Sequence, residues 1–312
     1  EELEELDLSS NNLGKTFNKV SLKNFQNLKC LNLSNTNLKE IKSDLFAKEN
    51  LEILDLSKNF IESINNDLFK EMKKLKILNL SFNKIASLKN IVFSDNSHLE
   101  EVYFQNNQIE LINDDLFKSA KNLKKLDLSN NSLYELGSNT FEGMKTLCYL
   151  DLSENNLKFL DNLLFNDLVS LKHLNLSKNQ ISNLTRNLFY NLKKLEVLYL
   201  NENNLSSLDE GIFGSLDSLR KLNLANNLVL IENEIFCKKK NFAENGKMKI
   251  INIENLKWLS FFGNKLEKID FGSFKNLKKL KWLDFSRNNL KSVSNASELN
   301  ESCNICLLYT SD

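Results

Sequence analysis

One frame, L-x-x-L-x-L-x-x-N-x-L, recurs along nearly the whole of this 312-residue chain. It reads Leu51-Leu54-Leu56-Asn59-Ile61, then Leu75-Leu78-Leu80-Asn83-Ile85, then Leu99-Val102-Phe104-Asn107-Ile109. Copies starting at Leu123, Leu147, Leu171, Leu195 and Leu219 keep the same spacing of 24. Two earlier copies start at Leu3 and Leu28 and two later ones at Leu256 and Leu280, which makes twelve. A fixed period of this length restricts the chain to one small unit per copy. No unit can bury its apolar face alone, so the copies must stack into a continuous core. From Leu219 to Leu256 the step is 37, so one copy carries 13 extra residues, an inserted segment at about 228–255.

Within each copy the L-x-L centre alternates as a strand does, turning its leucines inward and their neighbours outward. The ninth position is Asn in eleven copies: Asn11, Asn59, Asn83, Asn107, Asn131, Asn155, Asn179, Asn203, Asn227, Asn264 and Asn288. Thr36 is the exception. An amide has both donors and an acceptor, so a stacked column of them can satisfy backbone groups where the chain leaves the strand. On that reading Thr36→Asn should be neutral or mildly stabilising. An apolar residue follows (Ile64, Ile112, Leu136, Leu160, Leu184, Leu208), with phenylalanine five residues later at Phe69, Phe117, Phe141, Phe165, Phe189 and Phe213. These aromatics should form a spine beneath the convex side. The expected fold is α/β: a right-handed solenoid, or horseshoe, over residues 1–305, with a parallel β-sheet on its concave face.

The frame resembles the leucine-rich repeat. Copies of 28 to 29 residues with a full helix do not fit, and the proline-marked plant type is excluded by 0 prolines. A 24-residue copy ending near a phenylalanine is similar to the extracellular animal type found in Toll and Toll-like receptor ectodomains. The 13-residue insertion also resembles their irregular repeats. The resemblance implies a non-enzymatic ligand-binding receptor ectodomain, innate-immune or adhesive, at the cell surface or outside the cell. The alternatives are an intracellular, cytoplasmic scaffold or sensor tail, and the ectodomain of a receptor kinase whose enzyme domain lies outside this chain.

Charge and composition narrow the partners. Lys and Arg number 41 against 41 Asp and Glu, and without a basic surplus a nucleic-acid partner is not expected. Only 8 glycines argue against glycine-lined phosphate loops. No run of 18 apolar residues occurs, so attachment to a membrane is expected only through a segment beyond this chain. Glu1 opens inside a repeat, and residues 306–312 (CLLYTSD) carry no repeat logic. We read that tail as sequencing-adapter read-through, which voids the Cys303-x-x-Cys306 pair as a metal or redox motif. Cys30 and Cys148 fall in strand regions and are expected to be free thiols, while Cys237 and Cys303 have no assigned partner.

No catalytic constellation emerges, and no cofactor or metal is expected. His98 and His173 lie about three repeats, roughly 14 Å, apart at about 4.8 Å per strand, too far to share an ion. Asp44, Asp67 and Asp115 recur before Leu-Phe, where they are expected to cap short helical turns. Among the N-x-S/T sequons, Asn32, Asn79 and Asn175 project from the strands themselves; Asn183, Asn295 and Asn300 are the better glycan acceptors. Outward strand positions give Ile53, Asp55 and Ser57 in one copy, and Tyr149, Asp151 and Ser153 in another. The candidate ligand-binding residues are Tyr103, Tyr149, Tyr199, Trp258, Phe262 and Trp282, since exposed aromatics on a rigid scaffold serve interfaces as anchors. Beside Trp258 and Trp282, the insertion supplies Lys238, Lys239, Lys240, Lys247 and Lys249. The expected partner is a protein or acidic-glycan ligand on the concave face or the inserted loop, and dimerisation is compatible with the sequence.

Overall fold

A computed structural model describes residues 2–14, 16–17, 21–89, 93–209, 211–228, 241–242, 248–249, 253–298 and 304–306. The chain divides into two compact units, residues 1–156 and 157–312, and each is a parallel-sheet solenoid. The first unit contributes strands β1 (Glu5–Asp7), β2 (Cys30–Asn32), β3 (Ile53–Asp55), β4 (Ile77–Asn79), β5 (Glu101–Tyr103), β6 (Lys125–Asp127) and β7 (Tyr149–Asp151). The second contributes β8 (His173–Asn175), β9 (Val197–Tyr199), β10 (Lys221–Asn223), β11 (Trp258–Ser260), β12 (Trp282–Asp284) and β13 (Asn304–Cys306).

Equivalent frame positions pair throughout each unit: Leu31 with Leu54, Leu54 with Leu78, Leu198 with Leu222. The insertion does not disturb this register, because Lys221 pairs directly with Trp258. Strand β13 pairs with β12 and ends at Cys306, so the sheet backbone reaches the first residue of the tail read as adapter.

The strands are short because the chain turns sharply two residues after the frame's third leucine. Lys58, Phe82, Asn106 and Asn130 in the first unit, and Lys178, Glu202, Asn226 and Arg287 in the second, have φ between 49° and 58°. That left-handed conformation costs a non-glycine residue of order 1–3 kcal/mol. Backbone bonds to the next repeat offset it, for example Lys58 N–H to the Ser81 carbonyl and Phe82 N–H to that of Gln105, both at 2.9 Å.

The next residue is the frame asparagine. Asn59 donates from Nδ2 to the carbonyls of Leu33 (2.8 Å) and Leu56 (3.0 Å), and its Oδ1 accepts from Thr36 N–H (3.0 Å) and Leu38 N–H (2.9 Å). Asn83 and Asn155 in the first unit, and Asn203, Asn227 and Asn288 in the second, repeat this bridge. Thr36 is not a gap in the column. Its buried hydroxyl donates to the Leu33 carbonyl at 2.6 Å, while Leu13 N–H is taken by the Thr36 and Asn11 carbonyls. An asparagine there would make the same two contacts through its amide, as Asn59 does with the Leu56 carbonyl and Leu38 N–H.

Behind the sheet the core is leucine and phenylalanine. In the first unit Phe69, Phe93 and Phe117 stand 5.1 and 5.9 Å apart; in the second Phe165, Phe189 and Phe213 stack at 6.4 and 6.3 Å. Helical structure among the described residues is limited to 3₁₀ turns such as Asn66–Leu68. Its cap is Asn65, whose side chain accepts from Asp67 N–H, and Asn113 does the same for Asp115. The expected capping role of Asp67 and Asp115 is therefore corrected. They sit one residue inside the turn, where they pair with Lys70 and Lys118. Asp44 faces Lys23 at 3.6 Å.

Candidate recognition surface

Each strand presents its first and third residues on the open face of the sheet. At most third positions a carboxylate or amide turns back on its own chain. Asp127 Oδ1 accepts from Ser129 N–H (3.0 Å) and Oγ (2.7 Å), and Asp151 repeats this with Ser153. The bond draws the serine under the strand end, so Ser57, Ser81 and Ser153 are buried. Where that serine occurs the recognition surface is two residues wide, and beyond Ser260 the half-buried Phe262 adds a third position. Burial holds the Asp127 carboxyl above the usual carboxylate range, opposed by the Ser129 bonds and reinforced by the Asp151 charge.

In the first unit the Lys125 ammonium lies between two rings, 4.8 Å from Tyr103 and 5.1 Å from Tyr149. Tyr103 O–H donates to Glu101. Burial first, and that bond second, raise the pKa of the phenol.

The second unit repeats the device and extends it. Lys221 sits 5.0 Å from the Tyr199 ring and 4.7 Å from Trp258. His173 meets Tyr199 edge-on at 5.5 Å, and Trp258 stacks on Trp282 at 4.4 Å with 6° between planes. A continuous string, His173–Tyr199–Lys221–Trp258–Trp282, therefore crosses β8 to β12. Phe262, just beyond, is covered by Arg287 at 5.2 Å. Cation–π contacts of this kind contribute about 0.5–2 kcal/mol each, most when desolvated, so the string is preorganised before any ligand arrives.

The structure places all six candidate aromatics half-buried on the open face, Tyr103 and Tyr149 in one unit and Tyr199, Trp258, Phe262 and Trp282 in the other. Sequence reasoning missed Lys125 and Lys221. The signal was available, since each follows an aromatic third position and precedes an aromatic first position. Lys238, Lys239, Lys240 and Lys247 lie outside the described residues. Lys249 belongs to an antiparallel pairing of Asn241–Phe242 with Met248–Lys249. Asn183 is exposed. Asn295, also exposed, donates to Asp270 at 2.8 Å, and Asn300 lies outside the described residues. Asn32 and Asn79 are engaged with Asp7 and Asp55. Cys30 and Cys148 are free thiols, while Cys237 and Cys303 lie outside the described residues. Among the described residues no group of three or more His, Cys, Asp or Glu could hold a metal ion, and no helix is long and apolar enough to cross a membrane.

A stacked repeat with an asparagine column, a phenylalanine core and a parallel sheet face defines a class of protein, the leucine-rich repeat solenoid. Family models bear this out residue by residue. The BspA type leucine rich repeat region matches 110–243, and further leucine-rich repeat models match 2–25, 27–48, 49–109, 74–133 and 254–299. The chain belongs to the leucine-rich repeat family, and it resembles the ectodomains of Toll-type receptors. A leucine-rich repeat protein of Leptospira interrogans is similar over 91% of this chain and 73% of its own, with 22% identity and a TM-score of 0.71. The Toll of the Drosophila Toll–Spatzle complex, in its glycosylated form, is similar over 92% of this chain and 42% of its own, with 20% identity and a TM-score of 0.72. The TLR13–ssRNA13 complex is similar over 87% of this chain and 46% of that one, with 26% identity and a TM-score of 0.64. The chain thus spans less than half of either Toll-type structure. No curated protein matches it.

Proposed function

We propose that this chain is a recognition module of an extracellular or cell-surface receptor, which binds a protein ligand without chemistry through the open face of its second unit. The observation that carries the reading is the string His173–Tyr199–Lys221–Trp258–Trp282. Anchor residues of interfaces are enriched in Trp, Tyr and Arg, and rigid aromatics already fixed by their neighbours lose little entropy on binding. Leucine-rich repeat folds generally serve as non-enzymatic binding scaffolds. The likeness to Toll, which is seen complexed with Spatzle, supports a protein ligand and an innate-immune or developmental setting. Exposed Asn183, in an N-L-T sequon, supports a secreted glycoprotein.

The test is affinity capture from the surrounding secretome with three baits: wild type, Trp258→Ala/Trp282→Ala, and Phe159→Ala/Tyr190→Ala. Phe159 and Tyr190 are exposed on segments between strands. A partner held by the first and third baits and lost from the second is expected. A partner lost only from the third would move the site off the sheet and refute the proposal.

A further inference from the structure

The balanced charge of the chain hides a difference between its two sheet faces. In the first unit the third strand positions include Asp7, Asp55, Asp127 and Asp151. The residues before the strands alternate in sign and pair off, Glu4 with Lys29, Glu52 with Lys76, and Glu100 with Lys124, each at 2.7 Å. Lys125 therefore sits in an acidic setting. In the second unit the third positions from β8 to β11 are Asn175, Tyr199, Asn223 and Ser260, with no carboxylate. The alternation also stops there. Glu196 pairs with Arg220 at 2.9 Å, but the next two residues of that column are Lys257 and Lys281, which stand side by side and are both exposed. Among the described residues Lys221, Lys257, Lys281 and Arg287 have no carboxylate partner. Asp284, the nearby acid, is buried and bonded by Ser286.

Resting on the recognition reading above, we infer that the occupant of this face is an acidic, extended polypeptide segment, whose carboxylates engage Lys221, Lys257, Lys281 and Arg287 along the aromatic string. Charge complementarity selects an anion, and unpaired cations beside low-dielectric ring surfaces attract one more strongly than solvated ones do. Ring geometry selects carboxylates over nucleobases. Bases bind single-strand proteins by stacking on free aromatic faces. Here Lys221 covers faces of Tyr199 and Trp258, Trp258 and Trp282 cover each other, and Arg287 covers Phe262. That leaves fewer free ring faces than a base-stacking site presents, while the lysine and arginine N–H groups remain as donors to carboxylate oxygens.

Trp258 and Trp282 are the chain's 2 tryptophans, so tryptophan emission, excited to the red of tyrosine absorption, reads this face. The whole chain is titrated at low salt with poly-L-glutamate, and separately with oligouridylate and heparin of matched charge. Poly-L-glutamate should give a saturable change in emission and bind most tightly of the three. Lys221→Glu/Lys281→Glu should weaken it about tenfold or more, whereas Lys125→Glu in the first unit should not. Lys281→Glu alone, at an exposed position, serves if the double variant fails to fold by circular dichroism. No saturable change, an unchanged response in the reversed-charge variants, or tighter binding of oligouridylate or heparin overturns the inference. A captured partner that needs both tryptophans yet ignores charge reversal would leave the recognition reading standing and refute only the acidic-segment assignment.

Discussion

Asn155→Ala removes one buried amide and, with it, the partner of a further buried group. In the first unit Asn155 Oδ1 is the acceptor for Leu133 N–H at 3.0 Å, and Nδ2 donates to the carbonyls of Leu128 (3.0 Å), Leu152 (3.1 Å) and Ser153 (3.0 Å). The Ser153 carbonyl keeps a second bond, from Asn130 N–H. The Leu128 carbonyl likewise keeps one from Asn131 Nδ2 at 3.1 Å. Leu133 N–H loses its acceptor, and Asn155 is only 6% exposed, so water cannot replace the lost partner without the turn opening. An unpaired buried polar group costs about 1–3 kcal/mol. One such group puts the central expectation at about 2 kcal/mol. For a cooperative unit of this size each kcal/mol lowers Tm by about 2–4 °C, so a fall of about 4–8 °C is expected by circular dichroism. Hydrogen exchange at the Leu133 amide should accelerate in step, because local opening now competes with an unsatisfied native state. A variant that melts like wild type with an unchanged Leu133 amide would refute the role given to the column.

Other outcomes follow from the same packing. Phe117→Ala empties a buried site beside Phe93 and should cost about 3–5 kcal/mol, read by urea unfolding; a loss under 1 kcal/mol would mean the spine is not packed. Thr36→Asn should be neutral or mildly stabilising, since an amide there can bond the Leu33 carbonyl and Leu13 N–H as Asn59 bonds those of Leu56 and Leu38; a lowered Tm would show that the column does not extend through this position. Asp127→Asn should be neutral or stabilising at pH 7, because Asn79 already fills the equivalent position with the same bond to Ser81. The sign follows from burial. The folded pKa of Asp127 lies above its unfolded value, so the wild type gains stability as pH falls toward and through that folded value, and the advantage of the asparagine should shrink there. An advantage that grew on acidification would contradict the assignment.

Much of this was legible because the core obeys one period. Leu54, Leu78 and Leu198 fall where alternation places them, and Asn59 or Asn155 where the chain must leave the strand. What the residues did not disclose came from groups acting across repeats. The left-handed turn residues carry no glycine signature: Lys58, Phe82 and Arg287 adopt that conformation, because inter-repeat backbone bonds hold the turn against its local strain. Ser57 and Ser153 read as outward by alternation, but the preceding aspartates draw them under. The aspartates before Leu-Phe read as caps, although the asparagines two residues earlier reach the free N–H groups. On the recognition face the aromatics were visible as residue types. The lysines that organise them were not, since Lys221 and Trp258 are 37 apart in sequence and become neighbours only because the insertion leaves the register intact. The charge difference between the two sheet faces is likewise invisible in a total of 41 against 41.

The most direct measurement is the dissociation constant of the captured partner for Trp258→Ala, Trp282→Ala and Tyr149→Ala, each confirmed folded. If the open face of the second unit is the recognition site, each tryptophan variant should weaken binding by about 2 kcal/mol or more, roughly thirtyfold, as interface anchors do. Tyr149→Ala, in the other unit, should stay within a few-fold of wild type. Tryptophan variants that bind as wild type while Tyr149→Ala does not would contradict the account and put the site on the first unit.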